Sequence, residues 1–324
     1  VVWEDGGELY IPASYPMGGK MYSAARGDLL SAIGNTPLVE LRNLSPQGGA
    51  GVMVKLEGAN PGGSVKDRPA LWMVEEAVKK GNLTPGRMIL EASSGNTGIG
   101  LAMVGAALGY PVKLVVPGDV SRERIRTMEA FGAELVLSSK EDGTDGARDL
   151  ALEIFRKEPS LYYMPDQYSN SANWRSHYET TAVELLRQTR GNIHAFVAGV
   201  GTGGTLMGVG RRLKEDSPDV RMIGVQPAGE DSIRGLKNLR RSSVPAIFRM
   251  ERLDSMVEVS FSRALHTARL LARREGLFVG VSGGAAVSAA LEAAAGMKPE
   301  ETVVALAADR GDRYLSTGMF GERA

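Results

Sequence analysis

The chain contains no cysteine. Disulfides, zinc–thiolate centres and cysteine nucleophiles are therefore excluded. Its only histidines are His177, His194 and His266, too widely spaced to suggest a histidine-rich metal site. Neither sign of charge is in excess. Lys and Arg total 38 and Asp and Glu total 38, so the formal charge is zero and neither a nucleic acid nor a membrane surface is indicated as a partner. No apolar run approaches the length that spans a bilayer. Val1–Lys20 lacks the basic-then-apolar pattern of a secretory signal. Residues 1–20 are read as an N-terminal extension of unknown role, with Met17 or Met21 as candidate starts, and the default location is cytoplasmic.

Glycine is abundant, at 41 of 324 residues. Apolar residues still make up 43%, so the glycines point to tight turns and phosphate loops rather than disorder. Strand-like runs are expected at Met88–Ala92, Val112–Val116, Glu134–Leu137, Ala195–Val200, Met222–Val225, Leu277–Val281 and Thr302–Ala307. Helical patterns fall between them at Thr97–Leu108, Arg122–Phe131, Asp145–Lys157, Leu206–Lys214 and Arg263–Arg274, the last stopped by Gly276. This alternation predicts an α/β fold with mostly parallel sheets covered by helices on both faces. Tyr162–Tyr178 and Pro227–Arg252 break the pattern and read as irregular.

Four segments carry chemistry. In Lys55–Pro69, KLEGANPGGSVKDRP, a turn at Asn60–Gly63 precedes Ser64 and Asp67, which fit a capping box. Leu71, Val74 and Val78 then mark one apolar helical face, which puts Lys66 in the first turn of a helix. The positive end of the helix dipole disfavours an ammonium there and lowers its pKa, which suits an amine that forms a Schiff base. Position alone does not separate this from an exposed lysine paired with Asp67. In Glu91–Gly100, EASSGNTGIG, a strand runs into Ser93, Ser94, Gly95, Asn96 and Thr97 at a helix start. Free backbone N–H groups, hydroxyls and an amide make a receptor for a carboxylate, or else an ordinary N-capped turn. In Gly199–Thr205, GVGTGGT, the glycines admit a phosphate close to the backbone, and Thr202 and Thr205 add hydroxyls. Gly199, Gly201 and Gly204 also satisfy the dinucleotide pattern G-x-G-x-x-G. That rival needs an acidic residue ending the next strand, where Gln226–Pro227 stand instead, and a place at the start of the fold. In Val281–Ala285, VSGGA, Ser282 is a candidate partner for a heterocycle nitrogen.

Together these segments resemble the fold-type II pyridoxal 5′-phosphate (PLP) enzymes, and specifically the cysteine synthase (O-acetylserine sulfhydrylase) family. The likeness runs from Leu29 almost to the end of the chain. It rests on Ile33–Leu41 (IGNTPLVEL), Lys55–Pro69, Ser93–Gly98 (SSGNTG), Gly201–Thr205 and Asp309–Thr317 (DRGDRYLST), in the family's order. Within the family, DRGDRYLSTG, GARDLALE at Gly146–Glu153 and VPAIF at Val244–Phe248 look most like the type B branch.

The resemblance implies two doubly wound, mostly parallel α/β domains of the tryptophan synthase β kind, with the active site between them. The smaller would take residues 21–37 and 60–170, and the larger 38–59 and 171–324. It implies that Lys66 holds PLP as a Schiff base and moves the Cα proton, that Asn96 touches the 3′-oxygen, and that Gly201, Thr202, Gly203, Gly204 and Thr205 hold the phosphate. Ser282 would meet the pyridine nitrogen, a neutral partner suited to β-elimination. Ser93, Ser94, Gly95, Thr97 and Gln167 would bind the substrate carboxylate. The implied reaction is β-replacement through an α-aminoacrylate: O-acetylserine loses acetate, then sulfide or thiosulfate adds. The partners implied are these small molecules and a second copy of the chain in a homodimer.

The donor stays open. Arg234, Lys237, Arg240 and Arg241 make Pro227–Arg241 basic, either as a solvated loop or as an anion selector favouring thiosulfate or O-phosphoserine, and the resemblance to family members that use O-phosphoserine implies Lys237 as the candidate phosphate reader. Competing readings are a PLP-dependent serine/threonine dehydratase, a cystathionine synthase, and a non-enzymatic small-molecule or dinucleotide-binding protein.

Overall fold

The computed structural model describes residues 28–320 apart from Ser94, Lys140 and Asp142, together with the short antiparallel strands Val2–Trp3 and Leu9–Tyr10. Most of the N-terminal extension thus lies outside the described residues, as does Ser94 of the expected carboxylate loop.

From residue 28 the chain lays down β1 (Leu38–Glu40), β2 (Gly51–Leu56), α1 (Asp67–Lys79), β3 (Met88–Ala92), α2 (Asn96–Leu108), β4 (Val112–Pro117), α3 (Arg122–Ala130), β5 (Glu134–Ser138), α4 (Gly143–Lys157) and β6 (Tyr162–Tyr163). Then come α5 (Ser171–Ser176), α6 (Ala182–Thr189), β7 (Ala195–Gly199), α7 (Gly204–Asp216), β8 (Arg221–Pro227), β9 (Ser255–Val259), α8 (Phe261–Leu270), α9 (Val281–Ala295) and β10 (Thr302–Ala307). Two sheets result. The smaller has the order β5-β4-β3-β6 and is wholly parallel. The larger has the order β9-β8-β7-β10-β2-β1 and is parallel except for β1, which pairs antiparallel with β2.

Alternate residues of each central strand point to opposite faces, and both faces are covered, as parallel sheets require. From β3 and β4, Ile89, Leu114 and Val116 pack with Val74 and Ala77 of α1 and Ile99, Met103 and Val104 of α2. Their neighbours Leu90, Ala92 and Val115 pack with Ala147 and Ala151 of α4. In the larger sheet, Val54, Val197, Val225 and Ala305 meet α8 and α9. Phe196, Met222, Val304 and Leu306 meet α6 and α7. Parallel strands bring their C-terminal ends to one edge, and the β2–α1, β3–α2 and β7–α7 connections gather there.

The expected alternation is present, with one correction. Leu277–Val281 is not a strand. Val279 makes a single bridge to Arg310, and Val281 already opens α9, with Gly280 as its N-cap. Four apolar residues and a glycine do not distinguish a buried strand from the approach to a buried helix. Within the irregular Tyr162–Tyr178 stretch lie β6, α5 and the start of a π-turn, His177–Thr181. Pro227–Arg252 contains only the short turn Met250–Arg252 beyond the end of β8. Gly276 stops its helix as expected, in a left-handed cap at φ 70° after the π-turn Leu271–Glu275. Among the described residues no helix is long and apolar enough to cross a membrane.

Candidate active site

Lys66 is the N-cap of α1, one residue ahead of the expected first turn. The capping box forms only loosely. Ser64 Oγ accepts the Lys66 N–H at 3.2 Å, while the Asp67 N–H goes to the Ser64 carbonyl at 3.3 Å. The Asp67 carboxylate instead takes the Gly62 N–H at 2.6 Å and so folds the Asn60–Gly63 turn under the helix. Burial pushes the Asp67 carboxyl up to about 7. The Lys66 side chain is partly buried, and its Nζ donates to Thr202 Oγ1 at 3.3 Å. Loss of hydration brings its pKa down to about 8.

Thr202 belongs to the β7–α7 turn. Gly203 there has φ 83°, and a Cβ would lie 2.5 Å from the Phe248 ring. Gly201 leaves no more room, since a Cβ would stand 2.7 Å from the Gly235 carbonyl. The turn therefore presents bare backbone and the N-terminus of α7 to the cavity, together with the Thr202 and Thr205 hydroxyls. Thr205 Oγ1 lies 3.3 Å from His177 Nε2, and His177 Nδ1 lies 3.0 Å from Thr181 Oγ1. Burial, reinforced by Arg68, takes His177 down to about 3, so its ring is neutral.

The β3–α2 turn faces this loop. Ser93 Oγ accepts the N–H groups of Gly98 (2.9 Å) and Gly95 (3.2 Å) and so caps α2. Thr97 Oγ1 donates to Gln167 Oε1 at 2.6 Å. Asn173 joins the two loops, donating to the Gln167 carbonyl at 2.7 Å and to Thr202 Oγ1 at 3.0 Å. Asn96 Nδ2 donates to Asp309 Oδ2 at 2.7 Å, and its Oδ1 accepts from Arg313.

All of this surrounds one cavity of about 470 Å³. Its walls include Lys66, Ser93, Gly95, Asn96, Thr97, Gln167, Gly201, Thr202, Gly203, Thr205, Lys237 and Ser282. Gly204 stands behind the wall as the first residue of α7, where a Cβ would run into the Asn173 amide. Of the basic loop, Arg234, Lys237 and Arg241 reach the cavity, whereas Arg240 pairs with Glu258 at 3.1 Å. Arg234 lies 3.4 Å from Asp119, Arg241 3.4 Å from Glu230, and the Lys237 ammonium sits 4.9 Å from the Tyr168 ring centre. Sequence reasoning missed Asn173 and, at the cavity wall, Arg124, which have no local signature. Asp309 and Arg313 were visible only as part of a terminal motif.

These groups fit a phosphorylated aldehyde. A glycine turn with two hydroxyls at a helix N-terminus suits a phosphate dianion, and an amine with a lowered pKa is ready to attack a carbonyl. They do not suit a dinucleotide. β8 ends in Gln226–Pro227 rather than in an acidic residue, with Gln226 engaged with Glu258 (3.2 Å) and the Leu239 N–H (3.1 Å).

Residues 29–309 match the family described as pyridoxal-phosphate dependent enzyme. Cysteine synthase B of Escherichia coli (strain K12) is 49% identical over 295 residues, covering 91% of this chain and 96% of that protein. The solved structure of O-ureido-L-serine synthase superimposes with a TM-score of 0.87 at 39% identity, covering 92% of this chain and 96% of the other. O-acetyl serine sulfhydrylase isoform 3 from Entamoeba histolytica gives a TM-score of 0.86 at 35% identity, covering 98% and 96%. With the fold, the cavity and these likenesses in agreement, the chain belongs to the cysteine synthase family of pyridoxal-phosphate-dependent enzymes.

Proposed function

We propose that this PLP-dependent enzyme forms L-cysteine by β-replacement on O-acetyl-L-serine, with sulfide as the sulfur donor and Lys66 as both cofactor anchor and proton carrier. The observation that supports this reading best is the position of the Lys66 amine. It lies in one cavity with a phosphate-suited loop, 3.3 Å from its Thr202 hydroxyl. When bound, PLP supplies the electron sink that lets an amino acid lose its α-proton and then its β-substituent.

The chain's residues divide the remaining work. Gly201, Thr202, Gly203, Gly204 and Thr205 hold the phosphate, and neutral His177, as the tautomer that donates its Nε2–H to Thr205 Oγ1, leaves the Thr205 hydroxyl proton for that anion. Ser282, in the first turn of α9, faces the cavity as a neutral partner for the ring nitrogen. Ser93, Gly95, Thr97 and Gln167 bind the substrate carboxylate at the N-terminus of α2, with Ser94 assigned by resemblance. Asn96 meets the 3′-oxygen. Lys66 takes the α-proton as a free amine and returns it after the sulfur has added. We also infer a homodimer, a cytoplasmic location and two domains, 21–37 with 60–170 and 38–59 with 171–324.

The test is to add O-acetylserine, O-phosphoserine and serine separately to the holoenzyme, follow the change in the cofactor's absorbance, and then add sulfide or thiosulfate. O-acetylserine should change the spectrum, and sulfide should restore it with release of cysteine. No change with any donor overturns the β-replacement reading. A second reading has its own support in the cations at the cavity wall, Arg234, Lys237 and Arg241. These favour an anionic partner, either thiosulfate or O-phosphoserine. Lys237→Ala would then raise KM for the anionic reactant while leaving that for O-acetylserine unchanged.

The Lys66 pKa gives a further prediction. Only the neutral amine attacks an aldehyde, and its ammonium loses its proton at about pH 8. The rate of PLP uptake by the apoenzyme should rise with pH, with a midpoint near that value. Stopped-flow absorbance across pH 6–10, roughly two units either side of the midpoint, measures it.

A further inference from the structure

We propose that Asp309 and Arg313 are positioning residues that lock the Asn96 side-chain amide in one orientation, leaving one of its N–H groups for the cavity. The proposal rests on the reading that Asn96 meets the cofactor's 3′-oxygen.

A primary amide has one acceptor oxygen and two N–H donors, and the two ends are easily exchanged by rotation. Here each end meets a group of fixed polarity. Asp309 Oδ2 accepts one Nδ2–H at 2.7 Å, and the Arg313 guanidinium donates to Oδ1. Rotating the amide would set its oxygen against a carboxylate and its N–H groups against a cation, losing two charge-assisted hydrogen bonds together. The amide orientation is therefore set by charge.

The clamp is itself held. Asp309 is buried, 2% exposed, and its Oδ2 also accepts the Tyr314 hydroxyl at 2.7 Å. Its backbone carbonyl accepts the Gly280 N–H at 3.1 Å, and it bridges to Ser64. A Cβ at Gly280 would overlap Asp309 Oδ1, so the glycine there is part of the seat. Arg313 is tied in turn to the Gly62 carbonyl, in the turn that precedes Lys66. Tyr314 accepts from Arg124 of α3 at 2.9 Å. Asn96 opens α2, which packs on the smaller sheet, whereas Asp309 follows β10 of the larger one. The clamp thus sets the asparagine against elements on both sides of the cavity.

An N–H held toward the 3′-oxygen favours its anionic form, which absorbs at about 410 nm, over the neutral form at about 330 nm. In holo Asp309→Ala the ratio of the two bands should shift by about tenfold toward 330 nm, the order expected for one charge-assisted hydrogen bond. Asp309→Asn keeps an acceptor oxygen in place and should restore most of the ratio. Arg313→Met, with Asp309 intact, should shift it in the same direction and serves if Asp309→Ala does not fold. Because Asp309 acts through Asn96, adding Asp309→Ala to Asn96→Ala should change the ratio no further. Lowered thermal stability with an unchanged band ratio in Asp309→Ala or Arg313→Met overturns the proposal, as does an additive shift in the double variant. A wild-type protein without the long-wavelength band would instead overturn the assignment of Lys66.

Discussion

Lys66→Ala, purified in the presence of PLP, is expected to lack the absorbance band at about 410 nm and to lose cysteine synthesis by a factor on the order of 10⁴ or more. Both effects come from one amine. Without it no side chain holds the aldehyde, and no base stands at the α-carbon. Among the described residues whose side chains line the cavity, the other amine is Lys237, whose ammonium lies against the Tyr168 ring on the basic loop. Nor can His177 substitute, because burial holds it near 3 and its Nε2 lies at Thr205. The proposed phosphate loop, Gly201–Thr205, does not involve the Lys66 side chain except through Thr202, so the variant should still bind PLP reversibly. Equilibrium dialysis at pH 8, about the Lys66 midpoint, should recover the cofactor stoichiometrically and without a covalent link. Thr202→Val is the matching control. It should weaken PLP binding yet retain the band once saturated, since Lys66 remains. A Lys66→Ala protein with a wild-type spectrum would show that another residue carries the cofactor.

The parts of this site that were legible in the sequence share one property: they are short connections written in residue types that only a few conformations accept. Gly201–Thr205 reads as an anion loop because small residues between a strand and a helix leave backbone N–H groups bare. Ser93–Thr97 reads likewise, and both loops line the same cavity. The sheets are legible for a different reason, since strands buried on both faces read as nearly continuous apolar runs. The same rule misled at Leu277–Val281, where an equally apolar run leads into a buried helix. Long-range pairings left no trace. Asn96 and Asp309 are 213 residues apart, and neither neighbourhood has a period or spacing that names the other. The direction of the Lys66 pKa was legible, but the loss of hydration that lowers it was not. A helix start can be inferred from local residues, but loss of hydration depends on walls that come from elsewhere in the chain.

The buried ionic cluster beneath α1 was equally invisible, and breaking it should have the largest effect on stability. Arg68, two residues after Lys66 and 1% exposed, spends its N–H groups on Glu57 (2.7 and 2.9 Å), Glu184 (2.6 and 2.8 Å) and Thr180 (2.9 Å). Lys55 reaches Glu184 at 2.6 Å from the other side. Burial alone would raise both carboxyls, but Arg68 outweighs it, lowering Glu57 and, with Lys55, taking Glu184 from 4.5 to about 2. Arg68→Met removes one cation and leaves two buried carboxylates sharing Lys55. That should cost about 3–5 kcal/mol at neutral pH, read from urea unfolding of the holoenzyme. Arg68→Lys should recover little, because a point charge cannot bridge two carboxylates as a planar fork does. The pH dependence separates charge from simple loss of packing. A carboxyl with a depressed folded pKa stabilises the wild type fully above its unfolded value of 4.5, and that stability drains away as pH falls toward 2. In Arg68→Met the carboxyls lose the partner that depressed them and take up protons at higher pH. The gap between variant and wild type should therefore be widest near pH 7 and close as pH falls below about 4.5. A gap that stayed constant across that window would mean that Arg68 matters as filled volume, not as the charge that holds α1, and Lys66 at its start, against the larger sheet.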